Sequence, residues 1–202
     1  MRNRHFQRHD TQAQRSKDFF GFFLASWHPC VFALIFALCV TAQAQKLVPQ
    51  TIKLADGKSF TLNVPAGFTV KVAAEGLKRV RFFAPSPDGR LFVTDMHDKT
   101  DNKRGTVYIL DNFDATTGRF GSVTPYLKNL HNPNSAVFLT DDKGQAWFYL
   151  ALTDKLVRYR FTAGETAPTS PPETLATFPD YGLNYKYGGW HLTRTIAPGP
   201  NG

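Results

Sequence analysis

The stretch Ala84-Pro85-Ser86-Pro87-Asp88-Gly89-Arg90-Leu91-Phe92-Val93 decides how this chain is read. Pro-Asp-Gly makes a turn: proline presets one corner, aspartate bonds back to its own backbone, and glycine takes a left-handed position at no steric cost. An apolar strand follows at once. Residues Ala197-Pro198-Gly199-Pro200-Asn201-Gly202 nearly copy that turn, and Lys143-Gly144 stands at the same place before Trp147-Phe148-Tyr149. Aligning Gly89, Gly144 and Gly202 gives spacings of 55 and 58 residues. The following strand pair recurs too, as Leu91 to Val93 with Val107 to Leu110, and Trp147 to Tyr149 with Leu156 to Tyr159. Such a unit has room for four short strands and is slightly longer than the ~40–50 residues of the commonest propeller blades.

Outward from this stretch, apolar residues alternate with period two. Phe60 to Val64, Phe68 to Val72, Val80 to Phe83, Arg90 to Thr94 and Thr106 to Leu110 read as strands. So do Ala136 to Leu139, Ala146 to Leu152, Leu156 to Phe161 and Thr174 to Phe178. Turn residues such as Asp56-Gly57 lie between them, and no window sustains a helical repeat. The predicted class is therefore all-β. The repeat points to a β-propeller, with a β-sandwich carrying similar turns as the competing reading. A propeller needs about four blades to close, and this sequence has material for about two and a half. The expectation is that residues 45–202 are the N-terminal part of a longer, truncated propeller domain and are inactive on their own.

The N-terminus reads separately. Arg2, Arg4, Arg8, Arg15 and Lys17 face only Asp10 and Asp18 in the first 18 residues, and an apolar run then closes on Ala42-Gln43-Ala44. A basic leader, an apolar stretch and a small-x-small site predict a secretory signal peptide over residues 1–44, cut after Ala44, and a secreted or periplasmic protein. The alternative is an N-terminal membrane anchor, since Phe19 to Ala44 carries no Asp, Glu, Lys or Arg and exceeds the ~20 residues that span a bilayer. Pro29 and the Ala-x-Ala site favour cleavage. No Arg-Arg pair is present, which favours the general secretory route.

Cleavage would remove both cysteines, Cys30 and Cys39, and with them any disulfide framework, thiolate nucleophile or cysteine zinc site. The leader also holds 5 of the 24 basic and 2 of the 16 acidic residues, leaving 19 against 14, a net +5. Those charges are scattered singly between strands, without the clustered stripe that nucleic acid requires.

Several stretches together resemble one family. Leu62-Asn63-Val64-Pro65-Ala66-Gly67-Phe68, Pro87-Asp88-Gly89-Arg90-Leu91-Phe92-Val93, Gly105-Thr106-Val107-Tyr108 and, above all, Gly188-Gly189-Trp190-His191-Leu192-Thr193-Arg194-Thr195 resemble the glucose/sorbosone dehydrogenases. These are soluble six-bladed β-propellers that use pyrroloquinoline quinone. The resemblance runs from about Phe60 onward, and its most specific part is the Gly-Gly-x-His-x-Thr-Arg stretch leading into Gly-Pro-Asn-Gly.

The resemblance implies an oxidoreductase acting on a sugar or sugar aldehyde, with a calcium ion held by later blades and electrons passed to an acceptor it does not identify. It makes His191 the catalytic base, beside the quinone, taking the proton of a sugar hydroxyl as hydride passes to a quinone carbonyl carbon. Imidazole suits the task because its unperturbed pKa of ~6.5 leaves it able to accept a proton near pH 7. Gly188-Gly189 would let backbone approach a flat cofactor. Trp190 falls on the opposite face of a regular strand from His191 and reads better as an inter-blade aromatic. Arg194 is chemically apt for the three carboxylates of the quinone, although three residues from His191 it needs a strand start or bulge to share a face; a structural ion pair is its alternative. Asn134, in Asn132-Pro133-Asn134-Ser135, precedes a strand one unit earlier as His191 does, and a polar residue near this place lines the site in the family.

Other features read as scaffold. His131 is a lone loop histidine and is expected to be solvated. Asp95, His97, Asp98 and Asp101 superficially suggest calcium, but Lys99, Lys103 and Arg104 are interleaved and the spacing of a calcium loop is missing, so they read as an ordinary charged loop. Tyr181, Tyr185 and Tyr187 could stack a sugar or simply pack between blades. A non-catalytic propeller that binds a protein or glycan partner through its central face is the alternative function. A calcium-dependent lactonase is a weaker one, because no matching acidic set lies near His191.

Overall fold

The computed structural model describes residues 45–179 and 192–199. Among them there is no helix, and every sheet is antiparallel where its pairing is resolved. The all-β reading is thus correct. It follows that no helix among the described residues is long and apolar enough to cross a membrane. The chain separates into two compact units, Met1–Val48 with Pro65–Gly67, and Pro49–Val64 with Phe68–Gly202. Within the first, the Ala66 amide donates to the Lys46 carbonyl at 2.8 Å. The predicted leader, residues 1–44, lies outside the described residues.

Strands β1 (Leu47–Lys53) and β2 (Ser59–Pro65) form a two-stranded ribbon. Next come β3 (Val80–Pro85), β4 (Leu91–Asp95), β5 (Gly105–Asp114) and β6 (Arg119–Leu130), a meander in the order β3-β4-β5-β6. A second meander follows, built of β7 (Ala136–Thr140), β8 (Ala146–Ala151), β9 (Lys155–Arg160) and β10 (Glu173–Thr177) in the order β7-β8-β9-β10. The 55-residue repeat is therefore a four-stranded sheet.

The two repeated turns match bond for bond. Gly89 donates to the Ser86 carbonyl at 3.0 Å and Gly144 to that of Asp141 at 2.9 Å, with φ of 83° and 79°. Both glycines occupy the left-handed position that closes a three-residue hairpin. Even the side chain at the first turn position is reused, as Ser86 Oγ accepts from the Arg90 amide at 3.0 Å and Asp141 Oδ1 from the Gln145 amide at 2.9 Å. The third copy's turn, Pro200 to Gly202, lies outside the described residues.

Three strand expectations change, the first being that β1 (Leu47–Lys53) lies ahead of the first strand read from the sequence. Phe68 to Val72, expected as a strand, forms no ladder. Gln50 substitutes for one: its side-chain nitrogen donates to the Val70 carbonyl at 2.7 Å and its oxygen accepts from the Val70 amide at 2.9 Å. Conversely, β6 escaped the apolar pattern because Gly121, Pro125 and polar residues interrupt it. The proline is tolerated because β6 is the outer edge of its sheet, where a missing N–H breaks no ladder bond beyond.

Residues paired across a ladder share a face, and each meander turns one face to the other. Ala84, Phe92, Val107, Ile109 and Tyr126 come from the first, while Ala136, Phe148, Leu150, Val157, Tyr159 and Phe161 come from the second, all in one buried cluster. Phe92 is its hub, with ring centroids 4.9 Å from Tyr126 and Phe138, 5.5 Å from Phe148 and 5.8 Å from Phe161. Edge-to-face pairs of this kind add about 0.5–1.5 kcal/mol each beyond burial. At the 55-residue offset, Phe92 corresponds to Trp147 and Val93 to Phe148, so the two sheets meet through unlike faces. They come closest along β3 and β7, the first strand of each.

A polar clamp crosses the same junction. Arg90, side chain 9% exposed, pairs with Asp88 Oδ2 at 2.7 Å and donates to the Glu165 carbonyl at 2.8 Å, while the Gly164 amide donates to Asp88 Oδ2 at 2.8 Å. Tyr126 hydroxyl bonds to the Glu165 carboxylate. Burial and that carboxylate push the tyrosine pKa up. Burial opposes the Asp88 charge, but Arg90, the Gly164 amide and the Ser86 hydroxyl outweigh it and hold the carboxyl well below its ordinary 3.8.

Phe92→Ala is expected to cost about 3–5 kcal/mol, read as a lower urea midpoint. A second expectation concerns pH. Because the folded pKa of Asp88 is depressed, its contribution is present above the ordinary value of 3.8 and is lost as pH falls below it. Urea midpoints measured from neutral pH into that acid range should fall for the native chain and be flatter for Asp88→Asn, which starts about 3 kcal/mol lower because Arg90 is left buried without its partner.

Candidate functional site

The two meanders are joined by a connection with no room at the surface. His131, Asn132, Pro133, Asn134 and Ser135 are all buried, with Asn132 at 0%, Asn134 and Ser135 at 1% and His131 at 7% exposure. Five residues of mostly polar character inside a protein require partners for every N–H, carbonyl and side-chain group. Those partners define the rim on which the sequence-predicted site residues fall.

Asn132 secures the β4–β5 loop. Its φ is 41°, a region asparagine tolerates better than most residues. Its Oδ1 accepts from the Asn102 amide at 2.9 Å and its Nδ2 donates to the Thr100 carbonyl at 2.8 Å. Pro133 lies over the start of β5, where a Cβ on Gly105 would stand 2.1 Å from the proline Cδ. Glycine is therefore required at 105 by close approach, which no local turn signal would reveal.

His131 is not solvated, contrary to expectation. Its Nε2 lies 2.5 Å from Asp101 Oδ1, and its Nδ1 lies 3.6 Å from Asp154 Oδ1. A carboxylate only accepts, so Nε2 carries the hydrogen. The imidazole bonds to the β4–β5 loop, and the His131 carbonyl accepts the Thr153 amide of the β8–β9 turn at 3.2 Å. The charged loop is also more than a solvated connection. Asp95, 2% exposed, accepts backbone amides of Lys78 at 2.6 Å, Arg79 at 2.9 Å and His97 at 2.7 Å. Asp98 takes Thr100, Asn102 and Arg104. Hydrogen bonds to Thr100 keep its pKa low against an opposing burial effect, and the Arg104 charge adds to them. Among the described residues no group of three or more His, Cys, Asp or Glu is arranged to hold a metal ion.

Asn134 occupies the centre of the rim. Its amide donates to the Ala151 carbonyl at 3.0 Å and its carbonyl accepts Thr94 Oγ1 at 2.5 Å, which fixes its backbone between the two sheets. Its side chain joins two arginine-bearing segments: Oδ1 accepts from Arg81 Nε at 3.0 Å, and Nδ2 donates to the Arg194 carbonyl at 2.9 Å. The structure thus brings together two of the three predicted site residues, Asn134 and Arg194, through the arginine's backbone. The Arg194 guanidinium donates to the carbonyls of Thr193 at 3.2 Å and Pro179 at 3.3 Å and lies 5.8 Å from the centre of the Phe178 ring. His191, the third, lies outside the described residues, as do Trp190 and Tyr181, Tyr185 and Tyr187. Its neighbour Leu192 is buried, and its carbonyl accepts Thr153 Oγ1 at 2.6 Å.

Sequence reading missed Arg81 and Thr153. Arg81 falls at the start of β3 as Asn134 falls just before β7, about one 55-residue unit apart, and that spacing was the available signal. Thr153 carries none, since a threonine in a Leu-Thr-Asp turn is ordinary. No family model and no curated protein gives a match to this chain.

Asn132→Ala is expected to lower stability by about 1–3 kcal/mol, since the Asn102 amide and Thr100 carbonyl lose their partners. Native-state hydrogen exchange should show the loss concentrated in the β4–β5 loop rather than in β8 or β9.

Proposed function

We propose that this chain is part of a β-propeller oxidoreductase that oxidises a sugar or sugar aldehyde, with His191 as the base. Two features support the propeller. The meanders repeat at blade length, and they stack through unlike faces while approaching along their first strands, as successive blades around an axis do. Two sheets paired about a two-fold axis would instead bring like faces together.

The observation that carries the function is the convergence of Arg81, Asn134, Thr153 and residues 192–194 on one rim, in the stretch whose sequence resembles the quinone-dependent sugar dehydrogenases. The donor chemistry fits a polyanionic cofactor, because two arginine-bearing segments meet at one asparagine and guanidinium is the best partner for carboxylates. Pyrroloquinoline quinone, when bound, supplies the hydride acceptor, and the calcium of the resembling family would be held by residues other than those described. Arg194 is the residue for the cofactor carboxylates. Asn134 has both ends of its amide engaged and 1% exposure, so it supports that arginine from behind. His191 accepts the proton of the sugar hydroxyl on an imidazole nitrogen, which is what imidazole near neutral pH can do.

The test is dye reduction by the whole propeller of which we propose this chain is part, supplied with pyrroloquinoline quinone, calcium and aldoses. Turnover that depends on the quinone and falls about 10²–10⁴-fold in His191→Ala is the expected result. No quinone-dependent turnover, or turnover indifferent to that substitution, overturns the assignment.

A further inference from the structure

Arg81 is held by more bonding than an exposed side chain needs. The β3–β4 register shifts between Val80 and Phe83, so Arg81 falls on an irregular step, the kind that re-aims a side chain. Thr94 Oγ1 secures that step, accepting from the Phe82 amide at 3.0 Å and donating to the Asn134 carbonyl at 2.5 Å. The Asn134 side chain takes the arginine itself, with Oδ1 accepting from Nε at 3.0 Å. That amide cannot be turned over: Nδ2 donates to the Arg194 carbonyl at 2.9 Å, and a flip would set N–H against N–H on one side and oxygen against oxygen on the other. Thr94 and Asn134 are each 1% exposed, whereas Arg81 is exposed. Two buried polar side chains thus fix one arginine that reaches solvent.

The arginine so fixed has no counter-charge. Arg90, Arg104, Arg119 and Arg158 each pair with a carboxylate. Among the described residues Arg81 pairs with none, and neither do Lys78 and Arg79 just before it. Asp95, opposite Val80 in the ladder, is 2% exposed and has both oxygens taken by the backbone amides of Lys78, Arg79 and His97. The acceptor at Nε is a neutral amide, so the positive charge is oriented but not neutralised. With Nε occupied, a planar guanidinium keeps its end-on pair, Nη1 and Nη2, whose parallel N–H bonds match the two oxygens of a carboxylate.

We infer that Arg81 is a binding residue for a carboxylate-bearing small molecule, whose two oxygens dock across Nη1 and Nη2 while Asn134 and Thr94 hold the fork in place. A fork already ordered loses less freedom on binding, which is what the two buried side chains contribute. Lys78 and Arg79 add attraction for an anion. Every part of this site lies in residues 78–95 and Asn134, so it stands independently of His191 and of the oxidoreductase reading. An acidic sugar and the quinone both offer carboxylates, and the experiment separates the two.

The full chain, labelled with nitrogen-15, is titrated with D-glucuronate, with pyrroloquinoline quinone and with D-glucose, and sodium chloride at matched ionic strength controls for screening. The side-chain N–H signals of Arg81 and the backbone amide of Phe82 are followed by NMR. The expected result is a saturable shift with at least one of the two carboxylates and none with glucose or chloride. A response to glucuronate alone assigns the carboxylate to a substrate, and a response to the quinone alone assigns it to the cofactor; either supports the site. Arg81→Gln and Arg81→Lys are both expected to weaken binding about 10-fold or more, because lysine keeps the charge but loses the paired donors. No shift with either carboxylate, or a shift that chloride reproduces, overturns the site. Affinity unchanged in Arg81→Gln overturns the role of Arg81, and affinity unchanged in Arg81→Lys overturns the two-point contact. A whole propeller without quinone-dependent turnover removes the oxidoreductase reading, while the titration alone decides the carboxylate site.

Discussion

Two four-stranded sheets stacked on Phe92 leave the chain that joins them no path along the surface, and much of the remaining structure answers that constraint. The connection His131 to Ser135 is buried because the sheets on both sides are. A buried polar group without a partner costs about 1–3 kcal/mol, so each group in this strap must find one. It draws in the β4–β5 loop through Asn132, the β8–β9 turn through His131 and the end of β8 through Asn134 and Ser135. Apolar packing thereby dictates a polar network, and the network fixes the rim where the candidate site lies.

The division of labour between the two kinds of interaction is clear at the sheet junction. The aromatic cluster around Phe92 supplies non-directional burial, which sets that the sheets stack but leaves their relative slide loosely defined. Directional bonds define it: Arg90 with Asp88 and the Glu165 carbonyl at one end, and Thr94 Oγ1 on the Asn134 carbonyl near the strap. Arg90 also lies over Phe92 and Phe161, at 5.6 and 5.9 Å from their ring centres, so the guanidinium is part of the apolar cluster as well as of the clamp. On the far face of the second sheet Trp147 is covered by Arg158 and Arg160, at 4.0 and 5.2 Å from its ring, whose stems shield an indole that stands where the first sheet carries Phe92.

Asn134 shows how a residue chosen for one reason comes to serve another. Its place before a strand, one repeat ahead of His191, made it a candidate contact for a ligand. Its position in the fold makes it a bracket between Arg81 and the Arg194 backbone. Both descriptions concern the same place in the fold, where the Asn134 amide bonds to the Arg194 carbonyl at 2.9 Å.

The sequence by itself determined the local and repetitive features: the all-β class, the turns at Gly89 and Gly144, most strands, and a unit of about 55 residues. These are legible because period-two alternation and turn chemistry are properties of a few neighbouring residues. Tertiary structure alone decided the rest. That β6 is an edge able to hold Pro125, that Gly105 must yield space to Pro133, that His131 is buried between carboxylates, and that Thr153 reaches the Leu192 carbonyl all depend on residues 23 to 39 positions apart meeting, or on a strand's place in a sheet. No periodicity encodes such meetings. They arise because burying two apolar faces brings distant polar groups together away from water, where bonding to one another is their least costly state.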